Sequence, residues 1–400
     1  MTRTPERVFS AAHWAGHLPK RQVTGPHRLR VETGSANRLT GRFEVRSDTR
    51  GEFAERHYIF MSLALRKVDC APDQDEVFVP GLDLTEYVPK EILPLSNPQT
   101  DIPRIAKDER LIRLIDEAVQ RIPTVHNILL GDARRMESLK PGSVHLVLTS
   151  PPYWTLKEYR DSQGQMGHIQ DYEQFLTELD KVWSHCYRAL APGGRLICVV
   201  GDVCLSRRKN AGRHTVVPLH ASIQEHCRRI GFDNLAPIIW HKISNAVYEV
   251  ENGSSFLGKP YEPNSVIKND IEFILMERRP GGYRTPDTMT RVLSVISAGN
   301  HRKWFQQIWT GLTGASTRHH PAPYPLELAE RLVRMFSFVG DTVLDPFLGT
   351  GTTTVAAAKT ARHSIGLEVD EHYFDLAHKR IANETSSLFS QTTILVRRTS

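Results

Sequence analysis

The sequence predicts an α/β fold, with a largely parallel sheet covered by helices on both faces. Three observations carry this expectation. From Val125 onward, short runs of Val, Ile and Leu alternate with stretches of helical periodicity. Several of those runs end in small or acidic residues, as at Gly131-Asp132, Gly201-Asp202 and Asp345-Pro346. Open α/β sheets place their ligands at such carboxyl strand ends. The chain is also long enough, at 400 residues, for one large core plus extensions or for two to three units.

Taken in order, residues 1–100 contain two strand-like runs, Thr40–Ser47 and His57–Ala64, and an acidic, proline-rich, loop-like stretch from Arg66 to Pro98. From Asp101 to Arg121 the pattern is helical, with Leu111, Ile112, Leu114, Ile115, Val119 and Ile122 along a stripe. Strands are expected at Asn127–Leu130 and Ser143–Thr149. A helix from Asp171 to Leu190 is stopped by Ala191-Pro192-Gly193-Gly194, and the strand Arg195–Val200 follows. Next come a helix over Pro218–Arg229 and strands over Leu235–Trp240 and Ile271–Glu277. After an irregular, Arg-rich stretch, the helix Leu326–Phe338 leads to the strand Thr342–Pro346. The turn Gly349–Thr353, the helix Thr354–Thr360, the strand Ser364–Val369 and a helix from Glu371 to about Asn383 complete the pattern.

Composition narrows the function classes. No apolar run approaches the ~20 residues of a membrane helix, and the N-terminus lacks a secretory layout, so a cytoplasmic protein is expected. The five cysteines form no CxxC pair and no zinc-like spacing. Reduced, mostly buried thiols and no metal are expected. Residues 1–60 hold eleven Arg/Lys against six Asp/Glu. Further basic clusters stand at Arg207-Arg208-Lys209, Arg228-Arg229, Arg278-Arg279 and Arg302-Lys303. Together they point to a polyanionic partner.

Two stretches carry chemistry. In Thr149-Ser150-Pro151-Pro152-Tyr153-Trp154, two prolines stop a buried strand because neither can donate a ladder hydrogen bond. The result is a rigid hook with a hydroxyl, fixed carbonyls and two rings expected to be exposed. The second stretch, Val343–Thr353, is a strand-to-helix junction whose Gly349 and Gly351 let a ligand approach the backbone. Glu368 ends the next strand, seventeen residues beyond Gly351, where an acid can accept from ribose hydroxyls. Asp345 at the strand end would repel a pyrophosphate and welcome a cationic ligand.

With these residues, Asp345–Thr353 resembles the cofactor motif, and Thr149–Trp154 the catalytic motif, of the amino-methyltransferases acting on exocyclic amines of DNA bases. The catalytic motif precedes the cofactor motif, as in the permuted β group of that family. The resemblance covers residues 125–385 and implies a Rossmann-like, AdoMet-dependent methyltransferase sheet with circularly permuted motif order. It also implies an N-terminal extension, 1–120; a catalytic half, 121–242; a last strand with candidate target-recognition segments, 243–319; a cofactor half, 320–385; and a tail, 386–400. Carried over by residue, Asp345, Pro346, Phe347, Gly349, Thr350, Gly351 and Thr352 hold the methionine part of S-adenosyl-L-methionine (AdoMet). Glu368 holds its ribose, Asp132 its adenine side, and Pro321 closes over the methionine end.

The expected catalytic residues are Ser150, Pro151, Pro152 and Tyr153. The Ser150 hydroxyl and the Pro151 carbonyl accept from an NH₂ group, and Tyr153, helped by Trp154, stacks on a base taken out of the duplex. No cysteine follows a proline, which disfavours methylation of cytosine C5. Ser at the first hook position resembles the N4-cytosine enzymes, whereas Asp or Asn there is more usual for N6-adenine. Double-stranded DNA is the expected partner, with a restriction nuclease acting independently. Target contacts are sought at Lys259 and Lys268 within 244–270, and at Arg278, Arg279 and Arg302 within 278–318. An RNA base methyltransferase and a catalytically silent DNA-binding regulator are the alternatives. A third glycine is missing from the turn, which disfavours a nicotinamide dehydrogenase.

Overall fold

In a computed structural model, residues 83–155, 159–242, 269–315, 323–386 and 391–398 are described. The strands among them are β1 (Thr124–Leu130), β2 (Val144–Thr149), β3 (Leu190–Val200), β4 (Val203–Leu205), β5 (Thr215–Val217), β6 (Asp233–His241), β7 (Ile271–Arg278), β8 (Ile308–Trp309), β9 (Thr342–Asp345), β10 (His363–Glu368) and β11 (Thr392–Arg398). The helices are α1 (Pro98–Lys107), α2 (Glu109–Val119), α3 (Tyr172–Ala189), α4 (Leu219–Ile230), α5 (Thr288–Leu293), α6 (Ala298–Trp304), α7 (Leu326–Phe336), α8 (Thr352–Lys359) and α9 (Glu371–Thr385).

Nine strands form one sheet in the order β11-β1-β10-β9-β2-β3-β7-β6-β8. Alternating side chains of the central strands fill opposite faces. Val144 and Val147 of β2 join Phe175, Leu179 and Trp183 of α3, while Leu146 and Leu148 join Leu328 and Leu332 of α7. Burial on both faces is what continuous apolar strands predict. Every neighbouring pair is parallel except those of β7, which runs against both β3 and β6. A strand buried on two faces carries the same apolar run in either direction, so its polarity is not legible in the sequence.

Other elements differ from expectation. The helical stretch expected over 101–121 is two helices. Asp108 ends α1 and caps α2, its carboxylate accepting from the Arg110 and Leu111 amides at 2.9 and 3.1 Å. The α2 stripe packs with Val292, Leu293, Val339 and Ala361, so residues grouped with the N-terminal extension share a core with the later half of the chain. The stretch read as irregular holds α5, α6 and β8, and the tail holds β11, paired in parallel with β1 from Thr124↔Thr392 to Leu130↔Arg398. As a half-buried edge strand, β11 gives a weak apolar signal. No helix among the described residues is long and apolar enough to cross a membrane.

Candidate active site

The sheet brings the two motifs together. β2 and β9 pair at Leu146↔Val343 and Val147↔Leu344, which sets Thr149 beside Asp345. The Thr149 hydroxyl donates to Asp345 Oδ1 at 2.6 Å, and the Thr353 hydroxyl to Asp345 Oδ2 at 2.6 Å. The Phe347 amide reaches Oδ1 at 3.1 Å, and the Tyr324 hydroxyl bonds Thr353 Oγ1. Burial raises the Asp345 carboxyl above its ordinary range, against the pull of these donors. Asp345 therefore spends both oxygens on the protein and is not on the wall of the cleft described next. It ties the turn to the hook, where the sequence reading has it holding the ligand.

A cleft opens at the carboxyl strand ends. Its wall includes Ser150 and Pro152 from the hook, Pro346, Phe347 and Gly349 from the turn, Glu368 at the end of β10, and Asp132 after β1. Gly349 donates its amide to Glu368 Oε2 at 2.8 Å, and Val369 and Asp370 donate theirs to Oε1 at 3.1 and 3.0 Å. Burial still pushes the Glu368 pKa up to about 7. Asp132 behaves oppositely. Burial alone would raise it, but Arg134, with Nε 2.9 Å from both carboxylate oxygens, lowers it overall. Arg134 also donates to Glu178 of α3 at 2.7 Å, which fixes the strand end against that helix.

The turn divides. Pro346, Phe347 and Gly349 face the cleft, whereas Thr350 and Thr352 turn towards Arg380, whose Nη1 lies 3.1 and 2.9 Å from their hydroxyls. Gly351 is the N-cap of α8 with φ +79°, and a Cβ there would stand 2.8 Å from Ile381 Cδ1. Sequence reasoning missed Arg134, Tyr159, Gln165, Met166 and Tyr373 on or behind the cleft wall. Arg134 had a readable signal, an Asp-x-Arg directly after a strand. Tyr159 had one of another kind: Gly167 admits its ring, since a Cβ there would fall 2.4 Å from Tyr159 Cδ2.

The hook departs from expectation in its rings. Tyr153 is buried, at 5% exposure, and Trp154 is half-buried with φ 44°, its ring edge-on to Tyr172 at 5.0 Å. A Trp in the left-handed region is strained, and such strain concentrates at functional sites. The backbone folds back after Pro152, so Tyr153 packs beside Gly201, where a Cβ would be 3.4 Å from its ring and 3.2 Å from Glu272 Cγ. Glu272, at the start of β7, accepts from Lys242 just after β6. Burial pushes the Tyr153 hydroxyl well up, which keeps it neutral.

The proposed DNA contacts fare differently. Arg278 pairs with Asp233 at 2.8 Å, and Arg279 donates to the carbonyls of Arg188 and Leu190. Because β7 runs antiparallel, both sit at the strand ends opposite the cleft. Arg302 of α6 lies beside Pro103 and Lys107 of α1 and is likewise not on the cleft wall. Pro321, Lys259 and Lys268 fall outside the described residues. Cys186, Cys198 and Cys227 are buried free thiols, and no group of three or more His, Cys, Asp or Glu among the described residues is set to hold a metal.

Comparison with known proteins gives a consistent picture. Residues 144–379 match a family model described as DNA methylase. The chain is 36% identical to the type II methyltransferase M.MjaI of Methanocaldococcus jannaschii, over 65% of this chain and 92% of that one. It is also 36% identical to the type II methyltransferase M.MthZI of Methanothermobacter thermautotrophicus, over 69% and 81%. Among solved structures, it matches TTHA0409 of Thermus thermophilus, assigned as a DNA modification methylase and crystallised with AdoMet. That match has a TM-score of 0.56 and 50% identity, over 68% of this chain and 98% of that one.

Proposed function

The chain belongs to the DNA methylase family of N6/N4 amino-methyltransferases, and from that premise we propose that it moves the AdoMet methyl group to the exocyclic N4 of a flipped-out cytosine in duplex DNA, as a restriction–modification methylase. The observation that carries this reading is one cleft whose wall contains both Ser150 and Glu368, which gives a methyl donor and an amine acceptor a common site.

The residues present fit the cofactor. The Glu368 carboxylate has about four acceptor positions, and three take backbone amides. The one left, on Oε2, suits a ribose hydroxyl. Asp132 is oriented by Arg134 on the far side, where an adenine would lie. The missing Cβ of Gly349 and the Phe347 ring suit the sulfonium end. When bound, AdoMet supplies the electrophilic methyl group.

The chain itself must make a poor nucleophile react, because an exocyclic amine delocalises its lone pair into the ring. The Ser150 hydroxyl and the Pro151 carbonyl accept from the NH₂ group and hold it pyramidal, with its lone pair aimed at the cleft. Alignment of this kind supplies much of the rate. As the N–C bond forms the methyl–sulfur bond breaks, and the nitrogen then gives up one proton to solvent. Extruding the base costs a few kcal/mol; a ring stacked on it would return about 1–3 kcal/mol, and Tyr153, buried beside Gly201, offers that only by turning out of the hook. Within the family, Thr149-Ser150-Pro151-Pro152-Tyr153 favours cytosine N4, with adenine N6 the other target. Labelled AdoMet, mixed-sequence duplex DNA, digestion to nucleosides and mass spectrometry test this. N4-methylcytosine is the expected product. N6-methyladenine overturns the target, and a methylated RNA base, or no methylated base at all, overturns the reading.

A further inference from the structure

The geometry points to the β4–β5 ribbon as a clamp on the phosphates of duplex DNA beside the hook, an assignment that rests on the DNA reading above. The ribbon leaves the sheet at the carboxyl end of β3, directly after Gly201, against which Tyr153 packs. Its root is fixed. Val203 is fully buried in the same core cluster as Tyr153. Asp202 Oδ1 is 2.6 Å from His220 Nδ1, and the His220 ring stacks on Phe273 at 3.7 Å. The tip, seven residues beyond Gly201, therefore lies within roughly 23 Å of that root at ordinary strand rise.

The tip is built, not loose. The strands pair antiparallel from Val203↔Val217 to Leu205↔Thr215. The Gly212 amide donates to the Arg207 carbonyl at 3.0 Å, the Arg213 amide to that of Asn210 at 2.9 Å, and the Asn210 side chain to Thr215 Oγ1 at 2.8 Å. Between Val203 and Val217 the sequence holds Arg207, Arg208, Lys209 and Arg213 and no Asp or Glu. The Arg208 and Arg213 guanidinium groups are exposed and have no hydrogen-bond or ion-pair partner among the described residues. The contrast with the other basic clusters decides the matter. Arg228 and Arg229 pair with Glu225, and Arg278 with Asp233. Arg302 and Lys303 pair with no acid among the described residues either, but Arg302 lies beside α1 and off the cleft wall; of the four clusters, only the ribbon joins unneutralised cations to a root beside the hook. A preorganised two-stranded ribbon also has the shape that duplex grooves and their phosphate rims accept.

Fluorescence anisotropy of a short labelled duplex, repeated over a salt series without AdoMet, tests the assignment. R208Q/R213Q is expected to flatten the slope of log K against log[salt] by about 1.8, two released counterions. It should raise the KM for DNA while leaving kcat at saturating DNA and the AdoMet Kd unchanged. R208K/R213K keeps the charge and should keep the slope. An unchanged slope and KM in R208Q/R213Q overturns the clamp. So does an equal effect from R228Q/R229Q, which would reduce the result to bulk charge, or ribbon-dependent binding of single strands with none of duplex. Duplex binding that depends on the ribbon without any methylated product would instead sink the methyl-transfer reading and leave the clamp standing. A wild-type protein that does not bind duplex at all would remove both.

Discussion

Glu368 has a proton to lose. With its folded pKa pushed to about 7 by burial, the free carboxyl is largely protonated below that pH, whereas ribose hydroxyls are best accepted by the carboxylate. Binding below pH 7 must therefore expel a proton. Affinity for AdoMet should be full above about pH 7 and weaken roughly tenfold per unit below it. Calorimetry of the wild type and of Glu368→Gln checks this: the variant should bind more weakly at pH 8 and lose the acidic dependence. Ser150→Ala should lower turnover about 10²- to 10³-fold while the AdoMet Kd stays constant. Asp345→Asn should do something else. It disturbs the Thr149, Thr353 and Phe347 donors together, at roughly 1–3 kcal/mol for each buried group left unmatched, so thermal melting should show lost stability as well as lost activity. That Glu368 and Asp132 would stand at strand ends was legible in sequence, because acids there stand out. The bond between Asp345 and Thr149 was not, since 196 residues separate them.

At the level of elements, the alternation of apolar runs and helical stripes located most strands and helices to within a few residues. It failed where the signal has no direction or little amplitude. The reversed β7, the half-polar β11, the short α5 and α6, and the split at Asp108 are such cases. The start of α8 gives the sharpest test of an element boundary. Gly351→Ala meets both a positive φ and the Ile381 side chain at 2.8 Å. It should cost about 1–3 kcal/mol. The double variant Gly351→Ala/Ile381→Ala should recover part of the steric share relative to the sum of the single changes, measured by denaturant unfolding as a mutant cycle.

At the scale of the whole molecule, the site is legible only once strand order is known, because the sheet shuffles the chain. Strands from before residue 242 (β1, β2, β3, β6) lie between strands from after residue 269 (β7 to β11) along almost its full width. Neither half can satisfy its ladder alone, so residues 83–242 expressed by themselves should show no cooperative thermal transition in calorimetry, whereas residues 83–398 should show one. The same interleaving has a consequence for synthesis. As the chain emerges from the ribosome, β1 has no neighbour until β10 and β11 follow it more than 230 residues later, and β2 waits nearly as long for β9. Contacts of such separation form slowly and late. Methylating competence is thus withheld from every nascent intermediate, and an interrupted translation product carries the hook without a partner to act with.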